Sequence, residues 1–198
     1  MDTHSSQETD RIGVAMRMIG FEARTRTIRL STKLTDDQIR RLYRHYMRSG
    51  VAAKTSRHRG RSPTQALQFT RNTQTQLESS ILASVITSHG LLKGLRPKPW
   101  LTNNLHYAHR FCIAYARYIE LAEYEPLNFE QAWYFARMLA ARSELFLQRC
   151  KHCSSHYIGD THTVLKRDCP LCKLREKIAK EHGDKDVVAL PKKTRRRR

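Results

Sequence analysis

Cys150, Cys153, Cys169 and Cys172 form a C-x2-C-x15-C-x2-C box. Each C-x2-C pair can turn back so that two sulfurs meet one ion, and the spacer between the pairs is long enough for a short hairpin. Four thiolates suit the tetrahedral geometry of one structural Zn²⁺, a closed site with no open position for water or substrate. A redox role would need only one pair, in a βαβ setting that is not evident here. His152, His156 and His162 lie inside the box and could replace a ligand. With four cysteines at this spacing, they read instead as surface groups or neighbours of the ligands. The fifth cysteine, Cys112, falls on an apolar helical stripe and is expected in the core.

The elements that must position these sulfurs belong to a strongly basic chain. The 198 residues carry a net charge of +19, of which residues 173–198 hold +7 and the rest +12. Between positions 38 and 77 there are nine Lys/Arg and no Asp or Glu. A solvated face usually mixes signs, so one-signed charge over this length points to a polyanion. No strongly apolar amphipathic face accompanies it, which favours nucleic acid over anionic lipid. No apolar run approaches the ~20 residues needed to span a bilayer. The segment Met1-Asp2-Thr3-His4-Ser5 lacks the basic and apolar regions of a signal peptide, and the cysteine pattern is of metal type. A reducing cytoplasm is the expectation.

Apolar periodicity makes the chain mainly α. Residues 1–9 are polar and expected to fray. Ile12, Ala15, Met16, Ile19, Ala23 and Ile28 then recur near helical spacing over 10–29, weakened by Gly13 and Gly20. Thr35-Asp36-Asp37-Gln38 has capping-box form, with Leu34 and Ile39 at the positions of a hydrophobic staple. The helix it opens has Ile39, Leu42, Tyr43 and Tyr46 on one face, covers much of the rest with Arg40, Arg41, Arg44 and Arg48, and can stop at Gly50. Residues 50–61 read as a basic loop. Ser62-Pro63-Thr64-Gln65 repeats the start signal ahead of Ala66, Leu67 and Phe69, and a further helix is expected over 76–92. Arg96-Pro97-Lys98-Pro99 marks a linker. Two stronger helices follow, one through Leu105, Cys112 and Ala122, the other opened by Asn128-Phe129-Glu130-Gln131. The second is expected to run through Phe146 straight into Cys150. Strand signals are confined to Tyr157-Ile158 and Thr163-Val164-Leu165, which suggest a hairpin between the cysteine pairs. Residues 183–198 read as disordered.

A capped helix, a basic loop and a second capped start within 31–75 could form a helix-turn-helix, although a connection over 50–62 is longer than the usual turn. Arg40, Arg41, Arg44, Lys54, Arg57, Arg59 and Arg61 are the candidate DNA contacts. Those nearest Ser62 suit base reading and the others phosphate clamping. Tyr43, Tyr46, Trp133 and Phe135 sit at helical spacing and are expected in the core or a subunit contact rather than stacked on bases. Chemistry on a substrate is disfavoured. In Cys169-Pro170-Leu171-Cys172 the proline follows the first cysteine, the reverse of the zinc-deaminase half-motif, and no H-x-E lies upstream. A Walker loop, a nucleophile elbow and paired carboxylates in a cleft are also lacking.

The order of these features resembles the FlhC family, the zinc-containing subunit of the bacterial flagellar transcriptional activator. The likeness spans about residues 10–175. It rests on GFEARTRTI from Gly20, LTDDQIRRLYRHY from Leu34, the basic RGRSP from Arg59, the long helical middle and the terminal cysteine box. The resemblance implies a hetero-oligomer with FlhD, a small helical protein, that binds extended promoter sites in double-stranded DNA and recruits RNA polymerase. It also implies one zinc on Cys150, Cys153, Cys169 and Cys172, with most DNA contact on this subunit. The segment His58-Arg59-Gly60-Arg61-Ser62-Pro63 is more basic than the family's lysine-glycine-x-leucine-proline form, and Arg195 to Arg198 are not a family hallmark. Similar paired activators switch on transfer genes of conjugative plasmids and integrative elements, so flagellar and transfer genes are both candidate targets.

The expectation is therefore a helical, DNA-binding, non-enzymatic transcriptional activator with a C-terminal four-cysteine zinc ribbon, acting without membrane or small-molecule substrate. Its parts would be 1–95 for DNA, 96–148 as helical core and partner-binding region, 149–182 as the zinc module, and 183–198 as a basic tail. Two readings of other classes compete: a zinc-ribbon RNA- or ribosome-binding protein, and an adaptor whose ribbon docks a protein.

Overall fold

The computed structural model describes residues 2–49, 65–92, 104–122, 126–142, 144–162 and 168–182. Among these lie seven α-helices and one two-stranded antiparallel sheet, so the chain is mainly α, as its periodicity implies. The helices are α1 (Asp2–Gly20), α2 (Thr25–Thr32), α3 (Asp36–Arg48), α4 (Thr73–Ser88), α5 (Leu105–Leu121), α6 (Phe129–Ala141) and α7 (Pro170–His182). The strands β1 (Leu145–Arg149) and β2 (His156–Asp160) lie between α6 and α7. A single hydrophobic core cluster reaches from Val14 on α1 to Ile158 on β2.

The start of the chain departs from its periodicity. Helix begins at Asp2 instead of fraying to residue 9, and the stretch expected as one helix over 10–29 is two. The break is a Schellman closure built without glycine. Glu22 takes φ 61°, its amide donates to the Ile19 carbonyl at 2.9 Å, and the Ala23 amide donates to Met18 at 2.9 Å. Gly20 sits inside the last turn, where a Cβ would come within 3.1 Å of the Tyr46 hydroxyl, so it serves α1–α3 packing.

Helix α3 forms as the capping box predicts. The Gln38 amide donates to Thr35 Oγ1 at 3.2 Å and the Thr35 amide to Gln38 Oε1 at 2.8 Å. Leu34 and Ile39 are both buried. The same device starts α6, through Asn128 and Gln131. Helix α4 starts at Thr73 rather than near Gln76, because the Asn72 side chain accepts from the Thr75 amide at 2.8 Å. It ends at Ser88 rather than at Leu92, because Gly90 at φ 67° closes a second Schellman turn. The residues after Gln65, expected to open a helix, form only a 3-10 turn over Ala66–Phe69. The start signal Ser62-Pro63-Thr64, the loop 50–61 and the linker 96–99 lie outside the described residues.

The largest departure is at the end of α6. The helix stops at Ala141, with Arg142 left-handed at φ 51°, and does not run on to Cys150. Phe146, which fits the helical spacing, is instead a residue of β1, placed opposite Gly159. Pairing with β2 decides this, because five residues without period-2 alternation carry no strand signal of their own until a partner strand is present. The hairpin therefore encloses the first cysteine pair in its turn, whereas a hairpin lying wholly between the pairs was expected. Its second expected half, residues 163–165, lies outside the described residues, as does the tail 183–198.

Candidate metal centre and nucleic-acid interface

The four cysteines converge from two elements. Cys150 and Cys153 occupy the turn joining β1 to β2. There the Cys150 amide donates to Ser155 O at 2.8 Å, the Ser154 amide returns to Cys150 O at 3.1 Å, and Ser154 takes φ 63°. Cys169 precedes Pro170, the first residue of α7, and Cys172 lies in that helix's first turn. Pro170 is well suited there, having no amide to leave unbonded. A helix N-terminus favours negative charge, and thus thiolate.

All four Sγ atoms lie within 4.8 Å of one another, with Cys150–Cys172 at 3.8 Å and Cys153–Cys169 at 3.6 Å. These separations are far beyond the ~2.05 Å of a disulfide, and the cysteines are free. A tetrahedral ion with metal–sulfur bonds of about 2.3 Å has sulfur–sulfur edges of about 3.8 Å. The cluster thus fits a metal ion of that size and geometry. The thiols are strongly unequal. Burial pushes the Cys169 thiol up to about 11, against the pull of the Cys172 and Leu171 amides. Burial opposes ionisation at Cys153 too, but hydrogen bonds from the Ser155 side chain and backbone, together with those from Cys169 and Cys150, outweigh it and bring that thiol down to about 6. The His152 amide points at Cys150 Sγ at 3.4 Å. The His162 imidazole lies 3.4 Å from Glu144, and no described histidine completes the cluster.

On α3, Arg40, Arg41, Arg44 and Arg48 are all exposed, while Ile39 is buried and Leu42, Tyr43 and Tyr46 pack against the core. At about 100° per residue, the four arginines fall within an arc of about 100°. The structure therefore places Arg40, Arg41 and Arg44 on one open face. Arg40 is held by Asp37 at 3.0 Å, an exposed pair that a phosphate can displace at little cost. Lys54, Arg57, Arg59 and Arg61 lie outside the described residues; of a helix-turn-helix spanning 31–75 the first helix is present, while the described part of its second start is the 3-10 turn Ala66–Phe69. Trp133 and Phe135 are buried as expected, and so is Cys112.

Several functional neighbours were invisible in the one-dimensional pattern. Ile158 of β2 donates its amide to Ser80 Oγ at 3.1 Å and accepts Gln76 Nε2 at 2.8 Å, so α4 stands where a third strand would pair. Buried Asp160 accepts the Thr70 hydroxyl at 2.7 Å. Only its Asx turn to the His162 amide, 3.0 Å, could have been suspected locally. An open cavity of about 730 Å³ lies between α1, α3 and α5, with Phe21, Tyr46, Cys112 and Ile113 among its lining and Arg17 and Arg117 beside them.

The model of the family described as "Flagellar transcriptional activator (FlhC)" matches residues 1–185 of the 198. No curated protein matches the chain.

Proposed function

This chain belongs to the FlhC family of flagellar transcriptional activators, and from that premise we propose that it activates transcription by binding promoter DNA together with a small helical FlhD-like protein. The family match over residues 1–185 carries the reading. The arginine face of α3, the one-signed charge of 38–77 and the net charge of +19 support it. In this reading Arg40, Arg41 and Arg44 hold phosphates, while Lys54, Arg57, Arg59 and Arg61 supply the contacts nearest the bases. Beyond its first turn, helix α3 presents donors without an acidic counter-face, as sequence-independent phosphate binding requires.

Cys150, Cys153, Cys169 and Cys172 hold one Zn²⁺, which supplies cross-linking and no open coordination position, so its role is structural. Residues 1–95 serve DNA, 96–148 the helical core and partner, 149–182 the zinc module, and 183–198 add basic charge. The cavity between α1, α3 and α5 offers a mostly apolar lining to a partner helix, with Arg17 at its border and Arg117 there already paired with Glu120 at 2.7 Å. The bound complex recruits RNA polymerase in the cytoplasm at flagellar or conjugative-transfer promoters.

A salt-titrated binding assay tests the proposal with the zinc-loaded chain, with and without its FlhD-like partner, on its own operon's upstream region, scrambled DNA and structured RNA. Preference for the native promoter of ~10³ or more, strengthened by the partner, is the expected result. Equal binding to all three polymers would make it a general nucleic-acid or ribosome-associated protein.

A further inference from the structure

Both halves of the cysteine cluster rest on the same helix. Strand β2 begins three residues after Cys153, and α7 carries Cys172; β2 and α7 each pack against α4. The contact with β2 is polar and directional. Ile158 lies opposite Leu147 in the hairpin, and it turns its amide and carbonyl away from β1 to Ser80 and Gln76 of α4. Ser80 Oγ also donates to Gln76 O at 2.6 Å, which orients the hydroxyl to accept the strand amide. All three residues are buried, so this pairing forms only when β2 is seated.

Two residues further along the strand, Asp160 reaches the chain ahead of α4. Thr70 closes the 3-10 turn Ala66–Phe69, and its hydroxyl donates to Asp160 Oδ2 at 2.7 Å. A hydroxyl has one proton, and the alternative acceptor, Leu67 O, is 3.5 Å away, so the proton goes to the carboxylate. Phe69 anchors the same turn to α6 through Phe135, ring centroids 5.1 Å apart. In sequence this turn directly follows the basic stretch that holds Lys54, Arg57, Arg59 and Arg61.

We propose that metal binding at the four cysteines is energetically coupled to the seating of β2 on α4 and on the Ala66–Phe69 turn, with Thr70, Gln76, Ser80 and Asp160 as the positioning residues. The proposal rests on the metal-site reading and is independent of whether the chain binds DNA. An ion joins the hairpin turn to the start of α7, so it removes the freedom of two elements that must sit on α4 together. Without it they are linked through α4 but not directly through the cysteine cluster. Metal occupancy is thereby transmitted to the end of the basic stretch, without any metal contact to nucleic acid.

Coupling of this kind is reciprocal: if zinc favours the seated strand, the seated strand must favour zinc by the same factor. The test uses the full chain, with zinc affinity read by chelator competition and amide hydrogen exchange read over 66–80. In the parent protein, zinc should slow exchange at Thr70 and Gln76 through Ser80. Thr70→Val should weaken zinc affinity about fivefold or more and lose much of that zinc-dependent slowing; Thr70→Ser should restore both. Where Thr70→Val fails to fold, Ser80→Ala removes the acceptor of the Ile158 amide without adding bulk, and the same two losses are expected. A variant that lowers the melting temperatures of zinc-free and zinc-loaded protein equally, with zinc affinity unchanged, would overturn the coupling. A parent chain that binds no zinc would overturn the metal-site reading, and the coupling with it.

Discussion

Cys112 shows how a residue type is assigned its role by its surroundings. It is the fifth cysteine of a metal-type chain, yet it is almost wholly enclosed on α5, and no metal-ligand cluster among the described residues includes it. Burial pushes its thiol from 9.0 up to about 12, with Arg17 pulling weakly the other way. Between those two values the folded chain keeps a proton that the unfolded chain has lost. Stability therefore falls as pH rises through this window, by at most ~1.4 kcal/mol per pH unit from this group. Urea midpoints measured from pH 8 to 10.5 should show a shallower alkaline decline for Cys112→Ala than for the parent. The buried hydroxyls of Tyr107, Tyr115 and Tyr118, also raised by burial, act in both proteins and cancel.

At the level of elements, two caps of similar chemistry differ in how they are specified. Thr35 and Gln38 are three residues apart, and their box is readable from the letters alone; Thr35→Ala should cost about 1 kcal/mol. Helix α2 has no local side-chain cap at Arg24 and no acid in its first turn. Two donors at its start are met instead by Glu130 of α6, whose carboxylate accepts the Arg24 amide at 2.8 Å and the Thr27 hydroxyl at 3.0 Å, more than a hundred residues along the chain. Glu130 is buried, so removing it takes the acceptor from the buried Thr27 hydroxyl and from the half-buried Arg24 amide. Glu130→Ala should cost about 2–3 kcal/mol in urea denaturation, more than the local cap, and equal costs would refute that role. The hairpin follows the same logic. Ile158 reads as half of a weak strand, while Gln76 and Ser80 read as ordinary polar positions of a helix. Only their meeting makes α4 the cover for the strand's open edge.

For the whole molecule, the charge is the property that acts at a distance. In the proposed function, the exposed arginines gathered on one face of α3 would raise the local concentration of a polyanion, and each phosphate they neutralised would release counterions. Arg40→Ala, Arg41→Ala and Arg44→Ala should each weaken binding to all DNA sequences alike and reduce the salt slope by ~1. Loss confined to the native promoter would instead make that residue a base reader. The exposed pair with Asp37 should hold the Arg40 loss, if anything, below that of Arg41.

What the letters alone determined is local or compositional: the cysteine spacing, the capping boxes of α3 and α6, the helical majority, the buried place of Cys112, and the excess of positive charge. Each depends on residues within a few positions of one another or on a sum over the chain. Tertiary structure decided where helices stop and what β2 leans on. The Glu22 closure of α1 uses a residue with no preference for positive φ, and the end of α6 at Ala141 needs a partner strand to form. The bonds from Thr70 to Asp160 and from Glu130 to α2 join groups about ninety and a hundred residues apart. Such pairings leave no periodic trace, because burial selects them only after the chain has folded around them.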